Sequence, residues 1–299
     1  MSASDCFSLD RAVMRDIKDR TGLVFESVQA IDTAQESLAK AVLPILVEWQ
    51  PMTQLPEYRR AIYHRFHTRH ATPYLNSLVY WLRTETDNIG IDLLYQDITL
   101  VMRTSDCEWL WQTLPTLPRA FREYDLLARL AECPAVASAV KDRLAHDLEA
   151  QGLMEINLMA IAQVDDRRIF KWFEDHVNSR DNAIGPIARR VVSRGKQQLK
   201  DLEFVAVPPN PIGALVSTEM DLDDVPGFLR QIAKEHLLTI PASVRKGSFL
   251  SRVPLDRWVK LPVESKVGDS LNLYFRLEDI DTVEIALVRS ASPLKSVVQ

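Results

Sequence analysis

Three tryptophans, Trp49, Trp81 and Trp111, stand 32 and 30 residues apart in a chain of 299. Each falls late in a run whose apolar residues recur at three- and four-residue steps, the period of an amphipathic helix. Such runs follow one another from about residue 33 to 200. They predict helices at 33–50, 56–69, 73–84, 89–103, 106–114, 119–132, 135–150, 153–163, 167–178 and 183–200, after a first one at 10–20. Leu144 and Phe173 continue the tryptophan series. Two helices per period of about 30 residues bury their apolar faces only if each pair stacks on the next. The expectation is a right-handed α-solenoid of about five pairs: 39–52 with 55–71, 72–86 with 88–104, 106–117 with 119–133, 135–151 with 152–164, and 166–180 with 182–200.

The punctuation fits this division. Pro56, Pro73 and Pro134 stand where proline can open a helix, because first-turn N–H groups need no intrahelical partner. Asp106 and the pair Asp165–Asp166 precede apolar runs as N-caps, with a side-chain oxygen accepting from a backbone N–H. Pro44 lies inside 33–50, so that helix is either kinked there or starts near Val42.

After residue 200 the texture changes. Pro208, Pro209 and Pro211 form a short stiff linker after the strand-like run 203–207. One helix is expected near 224–238. Strands are expected at 257–264, 270–277 and 282–288, the last two with clear alternation. The turn between them falls at 278–281, the acidic clusters at 219–224 and 278–281 serve as a helix cap and a polar turn, and 292–299 is a frayed tail. The expected organisation is a helical repeat domain over 1–202 and a small α+β domain with an antiparallel sheet over 203–299.

The segments LPILVEW at 43–49, YLNSLVYWL at 74–82 and NLMAIAQVDDRRIFKWFEDHV at 157–177 resemble HEAT-type repeats. The likeness spans roughly residues 39–200. It implies an inter-repeat stack of Asp165 or Asp166 with Arg167, although the turns RHATP, RTSD and AECP depart from that pattern. HEAT-like folds mostly bind proteins, a minority bind DNA, and one DNA glycosylase family uses the fold enzymatically.

Composition narrows the function. Nine glycines argue against a Gly-rich nucleotide-binding fold, and no nucleotide loop, zinc-protease or hydrolase motif occurs. The net charge of −5 disfavours a nucleic-acid coat. Cys6, Cys107 and Cys133 are few, odd in number and far apart, which reads as free thiols in a reducing compartment. Residues 1–10 have no secretory pattern, and the longest apolar stretches, near 153–162, are about ten residues against the ~20 needed to span a bilayer. A cytoplasmic protein with no membrane, cofactor or metal is expected.

The candidate binding residues are polar stripes on the second helices of the pairs, which line the concave face of HEAT-like solenoids. They are Arg60, His64 and His67; Asp92, Gln96, Thr99 and Arg103; Arg122, Asp125, Arg129 and Glu132; and Arg189, Ser193, Lys196 and Lys200. They would form one trough, basic at both ends. Any amphipathic helix also carries a polar stripe on its wet face. His64, His67 and His70 drift about 60° per step around a helix, so they read as surface histidines and not as a metal site. The helix 153–163 is almost wholly apolar, which makes it the most buried one, with Glu155 a carboxylate at the trough wall paired to an arginine. The expected function is non-enzymatic binding of a protein or peptide, as a scaffold or adaptor; a bacterial immunity or regulatory role rests on fold analogy. The alternative is a nucleic-acid binder using the same trough, including a glycosylase-like enzyme. That enzyme would stack a base on Trp109, Trp111 or Tyr124, with Asp92, Asp97 or Asp125 as general base.

Overall fold

The computed structural model describes residues 3–150, 152–199, 202–205, 216–219, 225–236, 238–240, 250–253, 257–261, 263–265, 271–277 and 282–289. The protein is mainly helical, with a small antiparallel sheet toward its C-terminus. The chain divides into two compact units, Met1–Val164 and Asp165–Gln299.

The first unit contains α1 (Ala3–Thr21), α2 (Glu36–Trp49), α3 (Pro56–Phe66), α4 (Leu75–Thr84), α5 (Asn88–Val101), α6 (Cys107–Thr113), α7 (Glu123–Leu130), α8 (Ala137–Glu149) and α9 (Glu155–Ile161). Pro56 occupies the first turn of α3, as its missing N–H allows. Asp87 caps α5 by accepting from Gly90 N at 2.8 Å. Ile91, Leu94, Tyr95, Ile98 and Val101 then bury one face of α5 at helical spacing. α3, α5, α7 and α9 pack in succession, each against the next, while α4 packs on α5. Tyr63, Phe66 and Trp81 form an aromatic cluster in the core, with Phe66 edge-on to Trp81 at 5.1 Å between centroids.

Several local expectations are corrected. α1 is longer than expected and reaches Thr21, ending at Gly22, whose φ of +75° suits glycine. α2 runs through Pro44 from Glu36 and does not start near Val42. Pro73 lies within a 3-10 segment, Arg69–Tyr74, and Pro134 lies in a turn before α8, so neither opens an α-helix. Asp106 accepts from Arg103 N and caps the preceding 3-10 turn, with no side-chain bond into α6. Asp166 does cap α10 (Arg167–Asp175), accepting from Arg168 N and Ile169 N.

The cysteine expectation is also corrected. Cys107 and Cys133 form a disulfide across 26 residues, with Cα atoms 6.3 Å apart. One opens α6 and the other follows α7, so only the packing of these helices brings them together. The reducing compartment was inferred from free thiols and loses that support. Among the described residues, no helix is long and apolar enough to cross a membrane.

Among its described residues, the second unit contains α10, α11 (Ile184–Gln198), α12 (Val225–Glu235) and the strands β1 (Glu203–Val205), β2 (Val216–Glu219), β3 (Leu238–Thr239), β4 (Trp258–Leu261), β5 (Glu264–Ser265), β6 (Leu271–Leu277) and β7 (Thr282–Arg289). Five form an antiparallel sheet in the order β1-β4-β6-β7-β2, and β3 pairs with β5. Alternation works as expected. Leu273, Phe275, Leu277, Val283 and Ile285 point into one core with Val225 and Leu229 of α12. The opposite face buries Trp258, Tyr274, Ala286 and Val288 as well. β2 is a strand that the sequence pattern does not predict, and β4 and β5 stand where one strand is expected at 257–264.

The division at 164/165 lies well before the expected boundary at 202/203. α10 and α11 pack on each other and belong with the sheet. Arg167 Nη1 donates to Val253 O, the Arg252 guanidinium lies 5.7 Å from the Phe170 ring centre, and Leu199 and Leu202 pack against the sheet's core. Asp165 pairs with Arg252 at 3.5 Å and Asp166 with Arg168 at 3.0 Å. The proline linker at 208–211, the turn 278–281, the tail 292–299 and the acidic cluster beyond Glu219 lie outside the described residues.

Loop-closure entropy gives the disulfide a weight. A closed loop of this length stabilises by about 3.5 kcal/mol. A Cys107→Ser, Cys133→Ser double variant should therefore show a clearly lower urea midpoint for the first unit. Unchanged midpoints under oxidising and reducing conditions would show that the bond does not form.

Candidate functional site

Two open cavities lie along one face of α5. Asp92, Gln96 and Thr99 stand at steps of four and three, so they share that face. The first cavity, about 460 Å³, is lined by Asn88, Ile91 and Asp92 of α5 and by Phe121, Glu123 and Tyr124 at the start of α7. Arg143 and Asp147 of α8, with Leu153 and Asn157, complete it. The second, about 400 Å³, is lined by His67, Gln96, Thr99, Leu100, Asp125, Ala128, Arg129, Glu132 and Gln163.

Arg122 stands between the two sets. Its backbone N–H donates to Asp92, its guanidinium to Asp125 at 3.0 Å, and the Gln96 amide oxygen, turned toward it, accepts from Nε at 2.9 Å. Of the expected residues, the structure thus brings His67, Asp92, Gln96, Arg122, Asp125 and Arg129 to this face. Arg129 also pairs with Glu132 on its own helix end.

The remaining expected residues are elsewhere or otherwise engaged. Arg60 forms a two-bond ion pair with Asp87, the cap of α5, at 2.5 and 2.6 Å. His64 is exposed, its pKa lowered by partial burial and by the neighbouring Arg65 charge. Arg103 is exposed beyond α5. Arg189, Ser193 and Lys196 are exposed on α11 of the second unit, where Arg189 donates to Val177 O. The side chain of Lys200 lies outside the described residues. Among the described residues, no group of three or more His, Cys, Asp or Glu is placed to hold a metal ion.

One expectation about burial is overturned. Glu155 is exposed at the first turn of α9 and lines neither cavity. α9 itself buries Asn157, Leu158, Ala160 and Ile161, four of its seven residues, while Met159 is 46% exposed and Met154, just before the helix, 50%. Of the aromatics named for base stacking, Trp109 is partly exposed on α6, while Tyr124 lines the first cavity and donates to Asp147 at 3.1 Å.

Two buried carboxylates behave in opposite ways: Glu85, which sequence reasoning did not single out, and Asp97, which it named only as a candidate general base. Glu85 follows α4 with its side chain 1% exposed. It receives two bonds from Arg59, one from Tyr63 and one each from the Thr86 and Asp87 N–H groups. Burial alone would raise its pKa. These five donors win and hold it near 2. Asp97 on α5 is as deeply buried, at 1%. One oxygen accepts from His67 Nδ1 at 3.0 Å, and the other has no partner. Burial therefore dominates and raises its pKa to about 6. The hydrogen bond to Asp97 raises the pKa of His67 in turn.

This pair gives the second cavity its chemistry. A carboxylate on Nδ1 places the ring proton there and leaves Nε2 as an acceptor on the half-exposed imidazole. Asp97 itself is sealed, so any proton it influences passes through His67. A buried polar atom without a partner is rare, and such atoms gather where structure serves function.

The sign of the pH effect follows. The unfolded Asp97 ionises near 3.8, below its folded pKa, so the folded state binds the extra proton. His67, raised above 6.5, contributes stability that is full below that value and lost above its folded pKa. Both groups withdraw stability as pH rises from about 4 past 6.5. Asp97→Asn should therefore gain about 3 kcal/mol relative to the parent between pH 4 and pH 8, since one pKa unit is 1.36 kcal/mol. Urea titrations across that range measure it, and parallel curves would contradict the assignment. Comparison of the chain with known protein families, characterised proteins and solved structures finds no match.

Proposed function

We propose that the first unit is a HEAT-like stack whose second-helix face binds a segment of a partner protein or peptide, so that the chain acts as a scaffold or adaptor without a catalytic step of its own. One observation carries the reading. α3, α5, α7 and α9 pack in succession, and the second cavity takes a lining residue from each of them or from the turn that follows it. These helices open at residues 56, 88, 123 and 155, a spacing of 32 to 35 residues. That regularity supports a repeat origin for the stack. A row of equivalent helices presents a surface suited to an extended ligand.

Pairing within the face argues for a polypeptide over nucleic acid. Arg59, Arg60, Arg122, Arg129 and Arg143 each hold a carboxylate of this unit. Their charges are already offset, which weakens the attraction to a phosphate backbone. The same pairs leave a mixed polar surface of the kind found around protein interfaces.

A photoreactive amino acid at Gln163, exposed on the cavity wall, should crosslink a partner in the source cell. The same group at Tyr80, 60% exposed on α4, should not. Reversing Asp125 and Arg129 together should lower recovery of that partner about tenfold, with the far-UV spectrum unchanged. Equal crosslinking from both positions, or unaltered recovery, would remove this reading. Salt-sensitive binding of duplex DNA in its place would favour the nucleic-acid alternative.

A further inference from the structure

The first cavity differs from the second in having an apolar floor and an excess of acid. Ile91, Ala120, Phe121 and Leu153 supply the apolar wall. Phe121 of that wall is 49% exposed. A large apolar side chain left open on a cavity wall offers surface that a ligand can cover.

The charges are unbalanced. Glu123 is buried and accepts from Arg143 at 2.6 Å. Asp147 shares the same guanidinium at 3.6 Å and accepts from the Tyr124 hydroxyl. Desolvation pushes that hydroxyl up to about 12, so it stays a neutral donor at ordinary pH. Among the described residues, Asp92 accepts the Arg122 backbone N–H, while the Arg122 guanidinium is turned to Asp125 and Gln96. Against three carboxylates the wall therefore sets Arg143 and the exposed Arg119. One cationic group would complete the balance.

We propose that this cavity receives a lysine or arginine side chain of the partner polypeptide together with an adjacent apolar residue. The basic head would meet Asp92 and Asp147, and the apolar residue would cover Phe121 and Leu153. This rests on the peptide-binding reading above and names the chemistry that it would recognise. A long basic side chain suits such a site because its methylene stem buries against apolar wall while its head stays with the carboxylates. The electron-rich face of Phe121 adds attraction for a cation. A carboxylate in the same place would stand among three like charges.

The test uses the full-length chain and three acetylated, amidated pentapeptides with leucine and phenylalanine flanking a central lysine, norleucine or glutamate. Titration followed by amide and guanidinium NMR shifts gives Kd for each. The lysine peptide should bind at least tenfold more tightly than the glutamate peptide, with norleucine between them, and should shift the Arg143 side-chain signals. Asp92→Asn should lower the lysine-to-glutamate preference at least threefold, and Phe121→Ala should weaken the lysine and norleucine peptides alike. Asp92 and Phe121 are only partly buried, so neither variant removes a core residue. Equal binding of all three peptides, preference for glutamate, or no binding by any of them would overturn the inference. Should that happen while Gln163 still crosslinks its partner, the peptide-binding reading stands and this cavity's role falls alone. Loss of both would remove the two together.

Discussion

The first unit depends on what happens at Glu85. This carboxylate sits at the corner between α4 and α5, buried, and takes five hydrogen bonds. Arg59 and Tyr63 reach it from α3, and Tyr63 in turn accepts from Gln50 beyond α2. One ionised group therefore joins four consecutive helices in register. Removing Arg59 alone would leave a buried charge without its counter-ion, a loss of about 3–5 kcal/mol. The neighbouring pair Arg60–Asp87 repeats the link one residue on and caps α5 as well. The position of α5, which carries both cavities, follows from this corner.

Asp97 stands two turns and more along the same helix and receives the opposite treatment. It has one donor where Glu85 has five, so burial decides its pKa. The same helix thus begins at a satisfied network and continues into an unsatisfied one. That gradient is what separates the structural end of α5 from the part that faces the cavity with His67, Gln96 and Thr99. Stability is held at one end and given up at the other, the pattern expected when a site must keep a polar atom available.

The polar face was legible in the sequence because helical spacing fixes which residues share a side. Asp92, Gln96 and Thr99 had to lie together, and so did Asp125, Arg129 and Glu132. Which of them would stay available was not legible. Arg60 and Asp87 are 27 residues apart, Arg143 and Glu123 are 20 apart, and His67 and Asp97 are 30 apart. No local rule pairs residues at such separations. The same limit hid the Cys107–Cys133 bond, since 26 residues carry no pairing signal without the helices that bring the two together. Glu155 failed for a related reason: the apolar run around it promised cover that the packing does not supply.

The sequence by itself determined the local order: mainly helix to residue 200, antiparallel strands after it, an N-cap at Asp166 where a short polar side chain meets an apolar run, and alternation in β6 and β7. These follow from interactions within a few residues, where period and propensity suffice. The tertiary structure alone decided where the units divide, which arginines are spent on internal carboxylates, and that Glu85 is tied down while Asp97 is not. Those outcomes depend on desolvation and on donors from distant helices, and both exist only once the chain has packed.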